Sequence, residues 1–138
     1  MSDGLYHDSI VALARSRDGS GLADTADAEA IVDNPLCGDR ITLQLDMADG
    51  RISAIRHKVR GCALCEASAA MIARHAAGLD AAECRDARNA LKRIVRDGAA
   101  DSGPWEEMAA FAPVHARKSR HDCVFLPFDA LDEALGTF

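Results

Sequence analysis

The sequence predicts an α+β fold, and three observations carry the prediction. Residues 40–47, Arg-Ile-Thr-Leu-Gln-Leu-Asp-Met, alternate polar and apolar without a break. Asp49-Gly50 follows as a two-residue hairpin signal, and a looser alternation resumes over 51–59. From Cys62 onward the apolar spacing becomes helical and stays so to the C-terminus. Strands gathered together and then helices gathered together mean a small antiparallel sheet, of about three strands, covered by helices.

Residues 3–16 read as an amphipathic helix, with Asp3 as N-cap and Tyr6, Ile10, Leu13 and Ala14 on one face. Residues 17–21, rich in glycine and serine, read as a flexible loop, and 22–30 carry little signal. Residues 29–34 suit a short edge strand that Pro35 ends, since the residue before proline avoids the α region. In the 40–47 strand Ile41, Leu43, Leu45 and Met47 share a face; in 51–59 Ile52, Ile55 and Val59 do so less cleanly, and His57 is assigned to the surface. Residues 62–77 form an alanine-rich helix with Gly78 beyond its end. Asp80 and Glu83 make the Asp form of a capping box for a helix to about Arg96, whose buried stripe is Cys84, Ala87, Leu91, Ile94 and Val95. Pro104 opens a short helix that places Trp105, Met108 and Phe111 in the core, and Pro113 closes it. The last helix spans 124–136 with Pro127 in its first turn, where a missing N–H does little harm.

The chain has 138 residues, which suits one domain over 1–138. Lys and Arg number 16 against 22 Asp and Glu, a formal charge of −6. An acidic chain argues against nucleic-acid and anionic-membrane partners, which need basic surfaces, and leaves protein partners open. No apolar run reaches membrane-spanning length, and the N-terminus lacks the basic and apolar regions of a signal peptide. The expected location is cytoplasmic, where thiols stay reduced. Five cysteines in such a chain then point to metal, sulfur chemistry or small buried hydrophobes, not to a disulfide framework.

Three of those cysteines fall at element boundaries. Cys37 sits in the turn Asn34-Pro35-Leu36-Cys37-Gly38-Asp39, with a carboxylate two residues on. Cys62 begins a helix, where unpaired N–H groups and the positive dipole end favour the thiolate. Cys123 precedes the last helix, after a basic segment holding Arg117, Lys118, Arg120 and His121. Cys84 lies on a buried helical stripe and reads as core. Cys65 completes a C-x-x-C with Cys62, but the βαβ pattern of a thioredoxin-like fold is missing; a spare thiol that traps sulfur and a simple packing role both stay open. His75, near a helix C-terminus, suits the dipole and needs no further role.

These motifs resemble the IscU/SufU/NifU N-terminal family of iron–sulfur cluster assembly scaffolds. The likeness is carried by Asn34–Asp39, by Gly61-Cys62 followed by Glu66-Ala-Ser-Ala-Ala-Met71, and by Arg120-His-Asp-Cys-Val-Phe-Leu126, in that order around a strand hairpin. It runs from about residue 28 to the C-terminus, and the N-terminal helix also fits. The resemblance implies a site of Cys37, Asp39, Cys62 and Cys123 that binds iron as a [2Fe–2S] or [4Fe–4S] cluster, or zinc. It also implies a cysteine desulfurase as sulfur donor and apo-proteins as acceptors; Cys123, ahead of the last helix and beside flexible basic residues, is the expected persulfide acceptor.

Within the family the chain is closest to the SufU-like branch, by the long Cys62-to-Cys123 interval and by Arg120 three residues before Cys123. The IscU-type histidine directly before the third cysteine is Asp122 here, and the Leu-Pro-Pro-Val-Lys segment is absent. The resemblance therefore carries over neither a ligand at 122 nor chaperone handling. His121 is open as a solvated residue or a ligand, and Arg120 as a loop cation or an ion-pair partner of Asp39. Val59, Cys65 and Phe128 depart from the SufU pattern. The expected activity is that of a non-enzymatic scaffold and sulfur acceptor. The alternatives are a zinc-dependent sulfurtransferase that activates a desulfurase without carrying a cluster, and a structural zinc domain.

Overall fold

The structure is a computed structural model that describes residues 8–35, 38–99 and 103–136. It is α+β, as the patterning predicts. Helix α1 spans Asp8–Ser16, and strands β1 (Ala28–Asn34), β2 (Asp39–Ala48) and β3 (Arg51–Arg60) follow. Helices α2 (Ala63–His75) and α3 (Ala81–Val95) come next, then 3₁₀ segments at Glu106–Ala116 and Lys118–Arg120, and finally α4 (His121–Leu135).

The strands form an antiparallel meander in the order β1-β2-β3. Asp49 and Gly50 both take positive φ, 54° and 77°, which makes the β2–β3 connection the tight turn its sequence announces. The loose alternation of β3 has a local cause. Asp46 pairs with Ala54 but Met47 pairs with Ile52, so Ser53 is an extra residue on one strand. That bulge lets Ile52 and Ile55, three apart, both turn inward.

His57 departs from its surface assignment. It stands opposite Leu43, between Ile55 opposite Leu45 and Val59 opposite Ile41, and is buried. Parity with Ile55 and Val59 alone puts it on the core face; its polarity hid this. Its Nε2 lies 2.7 Å from the Asp18 carbonyl. The same residue anchors 17–21, which is no free loop. The His57 amide donates to Gly19 O, and Gly21 N donates to His57 O, each at 2.9 Å. The segment covers the outer edge of β3 at His57 and so shortens the unpaired sheet edge. Residues 23–27 cross the outward face, where Ala23 and Gln44 exchange bonds of 2.9 and 3.0 Å.

One sheet face is packed by helices. α4 lies across β1 and β2, and α2 is wedged between α1, α4 and β3. Both central helices are buried nearly all round, α2 through Leu64, Cys65, Ala67, Ser68, Ala69, Ala70, Met71 and Ile72. Alanines on α2 allow this close approach. α3 opens with the predicted capping box: Glu83 N to Asp80 Oδ1 at 2.8 Å and Asp80 N to Glu83 Oε1 at 3.1 Å. Cys84 is core, and burial pushes its thiol up to about 12.

The last third differs in detail. Residues 106–116 are 3₁₀ and run through Pro113, because a proline lacking its N–H still fits a short 3₁₀ turn. Trp105, Met108 and Phe111 are in the core as expected. His75 does more than face a dipole: it stacks on Trp105 at 5.0 Å between ring centroids, with Nε2 2.7 Å from Glu107 Oε1. α4 starts at His121, three residues early, because the 3₁₀ turn Lys118–Arg120 feeds straight into it. Pro127 therefore lies inside the helix, where it offers no amide proton to the carbonyl of Cys123 four residues back.

The clamp on β3 is testable. Gly19 has φ +77°, and a Cβ there would sit 2.5 Å from Ala73 Cβ; at Gly21, φ +112°, it would meet nothing within 4 Å. Gly19→Ala is expected to lower stability by about 2–4 kcal/mol in urea unfolding, the combined effect of overpacking and positive φ. Gly21→Ala is expected to lose about 1 kcal/mol.

Candidate metal and thiol site

Three chain segments meet at one end of the sheet. β2 begins at Asp39, β3 ends at Arg60 and turns through Gly61 into α2, and α4 begins beside them. Asp39 Oδ, Cys62 Sγ and Cys123 Sγ lie within 4.8 Å of one another, and no other group of three or more such donors exists among the described residues.

Cys62 is the hinge of the group. It is the N-cap of α2, with extended φ −77° and ψ 168°. Its amide donates to Asp39 Oδ1 at 3.2 Å, and its thiol, when protonated, donates to Asp39 Oδ2 at 3.5 Å. Asp39 is thus held by a backbone N–H that strand and helix geometry places, although it is itself 96% buried. The approach needs Gly61: a Cβ there would lie 2.6 Å from Asp39 Cγ and 2.7 Å from Oδ1.

The thiols differ in environment. Cys62 is half-buried and its pKa is lowered to about 7. The largest cause is a hydrogen bond from the Cys123 thiol; burial opposes it, the Cys65 N–H adds to it, the Asp39 charge opposes it, and the Leu64 N–H adds to it. Cys123 is fully buried, in the first turn of α4 and not ahead of the helix. Cys65 is fully buried one turn into α2 and stands outside the donor group.

The sequence also named Cys37, His121 and Arg120 as candidates. Cys37 lies outside the described residues. His121 is buried, with Nε2 3.0 Å from Val114 O and 3.2 Å from His115 O. Its ring faces backbone carbonyls of the 3₁₀ segment and is neither solvated nor among the donors. Arg120 closes the 3₁₀ turn Lys118–Arg120 and directly precedes α4.

One contributor was given no role by the sequence reading. Ser68, fully buried on α2, donates to the Val124 carbonyl of α4 at 2.7 Å. It ties together the two helices that carry the thiols, one residue from Cys123. A serine among alanines on a buried face was the available hint.

In chemical terms, two sulfur donors and a carboxylate oxygen at this spacing fit a thiophilic metal such as zinc, or one corner of an iron–sulfur cluster. Cys62 is also a nucleophile at neutral pH.

Residues 5–110 match the family described as NifU-like N terminal domain. The iron–sulfur cluster assembly scaffold protein IscU of Thermotoga maritima is 26% identical over 131 residues, covering 95% of this chain and 92% of its own length. Iron–sulfur cluster assembly scaffold protein IscU 1 of Archaeoglobus fulgidus is 32% identical over 98 residues, 71% of this chain and 60% of its own. Among solved structures, the N-terminal part of a nitrogen-fixing NifU-like protein from Brucella abortus superposes with a TM-score of 0.89 at 35% identity, covering 97% of this chain and 94% of that one. A protein of Fervidobacterium islandicum AW-1, described as an iron–sulfur cluster assembly scaffold for the SUF system, gives 0.88 at 21% identity, covering 98% and 99%, and speaks for the fold alone.

Two outcomes are expected. In metal-free native protein, iodoacetamide should modify Cys62 with a half-maximal rate near pH 7, as the thiolate fraction rises with pH, and leave Cys84 unmodified until unfolding; a Cys62 midpoint at the ordinary cysteine value, about 8.5, would contradict the assigned environment. Gly61→Ala should displace the Asp39 carboxylate and weaken Co(II) or Zn(II) binding about 10-fold or more, with the far-UV spectrum unchanged.

Proposed function

This chain belongs to the NifU-like N-terminal domain family, and from that membership and its thiol site we propose that it is an iron–sulfur cluster assembly scaffold. It takes sulfur from a cysteine desulfurase, holds the nascent cluster on Cys37, Asp39, Cys62 and Cys123, and releases it to apo-proteins. The observation that carries the reading is the convergence of Asp39, Cys62 and Cys123 on one point. The relatives named as scaffolds support it. The proposed place of work is the cytoplasm, where the thiols stay reduced; among the described residues no helix is long and apolar enough to cross a membrane.

Sulfur acceptance is an exchange without net oxidation. The acceptor thiolate attacks the outer sulfur of the donor's cysteine persulfide, and the donor cysteine leaves as a thiolate. Cys123 is the acceptor expected from its place beside the basic segment, but it is fully buried, whereas Cys62 is partly exposed and its thiolate is favoured. In the proposed order Cys62 meets the sulfur first. Cys123, once deprotonated, then attacks the outer sulfur on Cys62, and Cys62 leaves as a thiolate. Asp39, a harder oxygen donor among soft sulfurs, leaves the cargo more easily exchanged than four thiolates would.

The short separations also favour a second reading. Donors within 4.8 Å suit a single tetrahedral ion. On that reading the chain is a zinc-dependent sulfurtransferase of the SufU type that activates the desulfurase and never carries a cluster.

Protein purified without oxygen separates these readings. Iron with acid-labile sulfide and visible charge-transfer bands supports the scaffold. Zinc without those bands, together with stimulated desulfurase turnover, supports the sulfurtransferase. Unfolding when a chelator removes the metal supports a structural zinc domain instead. By mass spectrometry of trapped persulfides, Cys62→Ser should lose sulfur acceptance and Cys123→Ser should keep sulfur on Cys62. Wild-type loading of Cys123 in the Cys62→Ser protein would reverse the order.

A further inference from the structure

The outward face of the sheet carries one sign of charge along β3, and its end borders the thiol site. In the register, Arg60 stands opposite Arg40, Lys58 opposite Thr42, and Arg56 opposite Gln44. Like charges directly opposite on neighbouring strands destabilise a sheet. In a chain of formal charge −6, an Arg–Arg pairing is not a by-product of basic composition.

The cations on this face are not equivalent. Arg56 is tied down inside the molecule, 3.1 Å from both Asp46 and Gln44. Arg40 holds Asp33 at 2.6 Å in a pair about half exposed, and such a pair is weakly bound and open to exchange. Lys58 and Arg60 are exposed, and their side chains have no hydrogen-bond or ion-pair partner among the described residues. Arg40 and Arg60 flank an open hollow of about 480 Å³ whose remaining walls are Asp33, Gly38, Asp39 and Gly61. The hollow therefore shares its wall with the site: Asp39 is a donor, and Gly61 is the residue that lets it approach Cys62.

We propose that Arg40, Lys58 and Arg60 form a docking edge for an acidic segment of the sulfur-donating desulfurase, beside Asp39 and Cys62. This rests on the sulfur-acceptor reading above. The spacing argues for a peptide segment over a free anion. Lys58 and Arg60 are two residues apart on one strand face, about 6.6–6.8 Å, which matches carboxylates on alternate residues of an extended chain. Guanidinium groups also take carboxylates as bidentate partners. A single small ion in so open a hollow would make only screened contacts. Three cations in an acidic chain are too few to hold a polyanion such as nucleic acid. The sulfur donor is favoured over a cluster acceptor because the row adjoins, through Gly61, the one thiol among the described site residues that is partly exposed.

The test uses Arg60→Glu and the double variant Lys58→Glu/Arg60→Glu, with the cysteine desulfurase encoded in the same genome as the probe. Arg60→Glu turns the repulsion with Arg40 into attraction, so the fold should be at least as stable. Binding should weaken about tenfold or more at low salt, and the difference from wild type should shrink at about 0.5 M salt. Arg60→Lys should bind within a fewfold of wild type, and zinc uptake and Cys62 alkylation should be unchanged in all three variants. Reversed-charge variants that bind and accept sulfur as wild type does overturn the proposal, as does a loss that salt leaves unchanged. A defect confined to cluster transfer, with sulfur uptake intact, assigns the row to the acceptor and overturns it too. In each of those cases the sulfur-acceptor reading still stands. Wild-type protein that takes no sulfur from the desulfurase removes that reading and this proposal together.

Discussion

The close approach of the Asp39 carboxylate to Gly61 and Cys62 is the constraint on which the site depends. The carboxylate fills the space that a Cβ at 61 would need, and the amide of Cys62 holds it at 3.2 Å. That contact joins the start of β2 to the junction of β3 and α2. It can form only because the hairpin turn at Asp49-Gly50 sets the register that brings the two strand ends together. A buried carboxylate needs a donor, and here the donor is a backbone N–H fixed by helix geometry. The meeting of the Asp39 carboxylate with Cys62 at this end of the molecule is thus a consequence of strand register.

The second thiol arrives by packing. α4 lies against β1, β2 and α2, and its first turn is buried among them. The Ser68 hydroxyl, bonded to the Val124 carbonyl, fixes that turn against α2. Pro127 withholds an amide proton from the Cys123 carbonyl, so backbone bonding alone does not secure this stretch of α4. Contact with α2 therefore does much of the positioning. A helix buried on nearly every side has little freedom to shift without disturbing the core.

Environment sorts the cysteines of this chain into different chemical types. The Cys62 sulfur faces the start of a helix and a neighbouring thiol, and both favour its thiolate. Cys84, on a buried stripe, has neither, and burial with nearby carboxylates drives its pKa up to about 12. Residue type is the same in both cases; neighbours across the fold make one a nucleophile at neutral pH and the other an inert hydrophobe.

Much of this was legible in the sequence. Period-2 alternation with a turn dipeptide identified β2, the hairpin and β3, and the Asp80–Glu83 pair identified the start of α3, because these signals are local and their physics is complete within a few residues. The family likeness implied a site of Cys37, Asp39, Cys62 and Cys123; Asp39, Cys62 and Cys123 do converge, and Cys37 lies outside the described residues. Tertiary structure decided the rest. His57, turned inward by its parity with Ile55 and Val59, met its partner in the Asp18 carbonyl, which no local pattern announces. Tertiary packing turned His121 toward backbone carbonyls, drew Cys123 into α4, and gave Ser68 a role. Each of these depends on a partner distant in sequence or on a helix boundary moved by a preceding 3₁₀ turn. Local patterning can say that a side chain is polar or apolar; which group it meets is set by how the helices stack on the sheet.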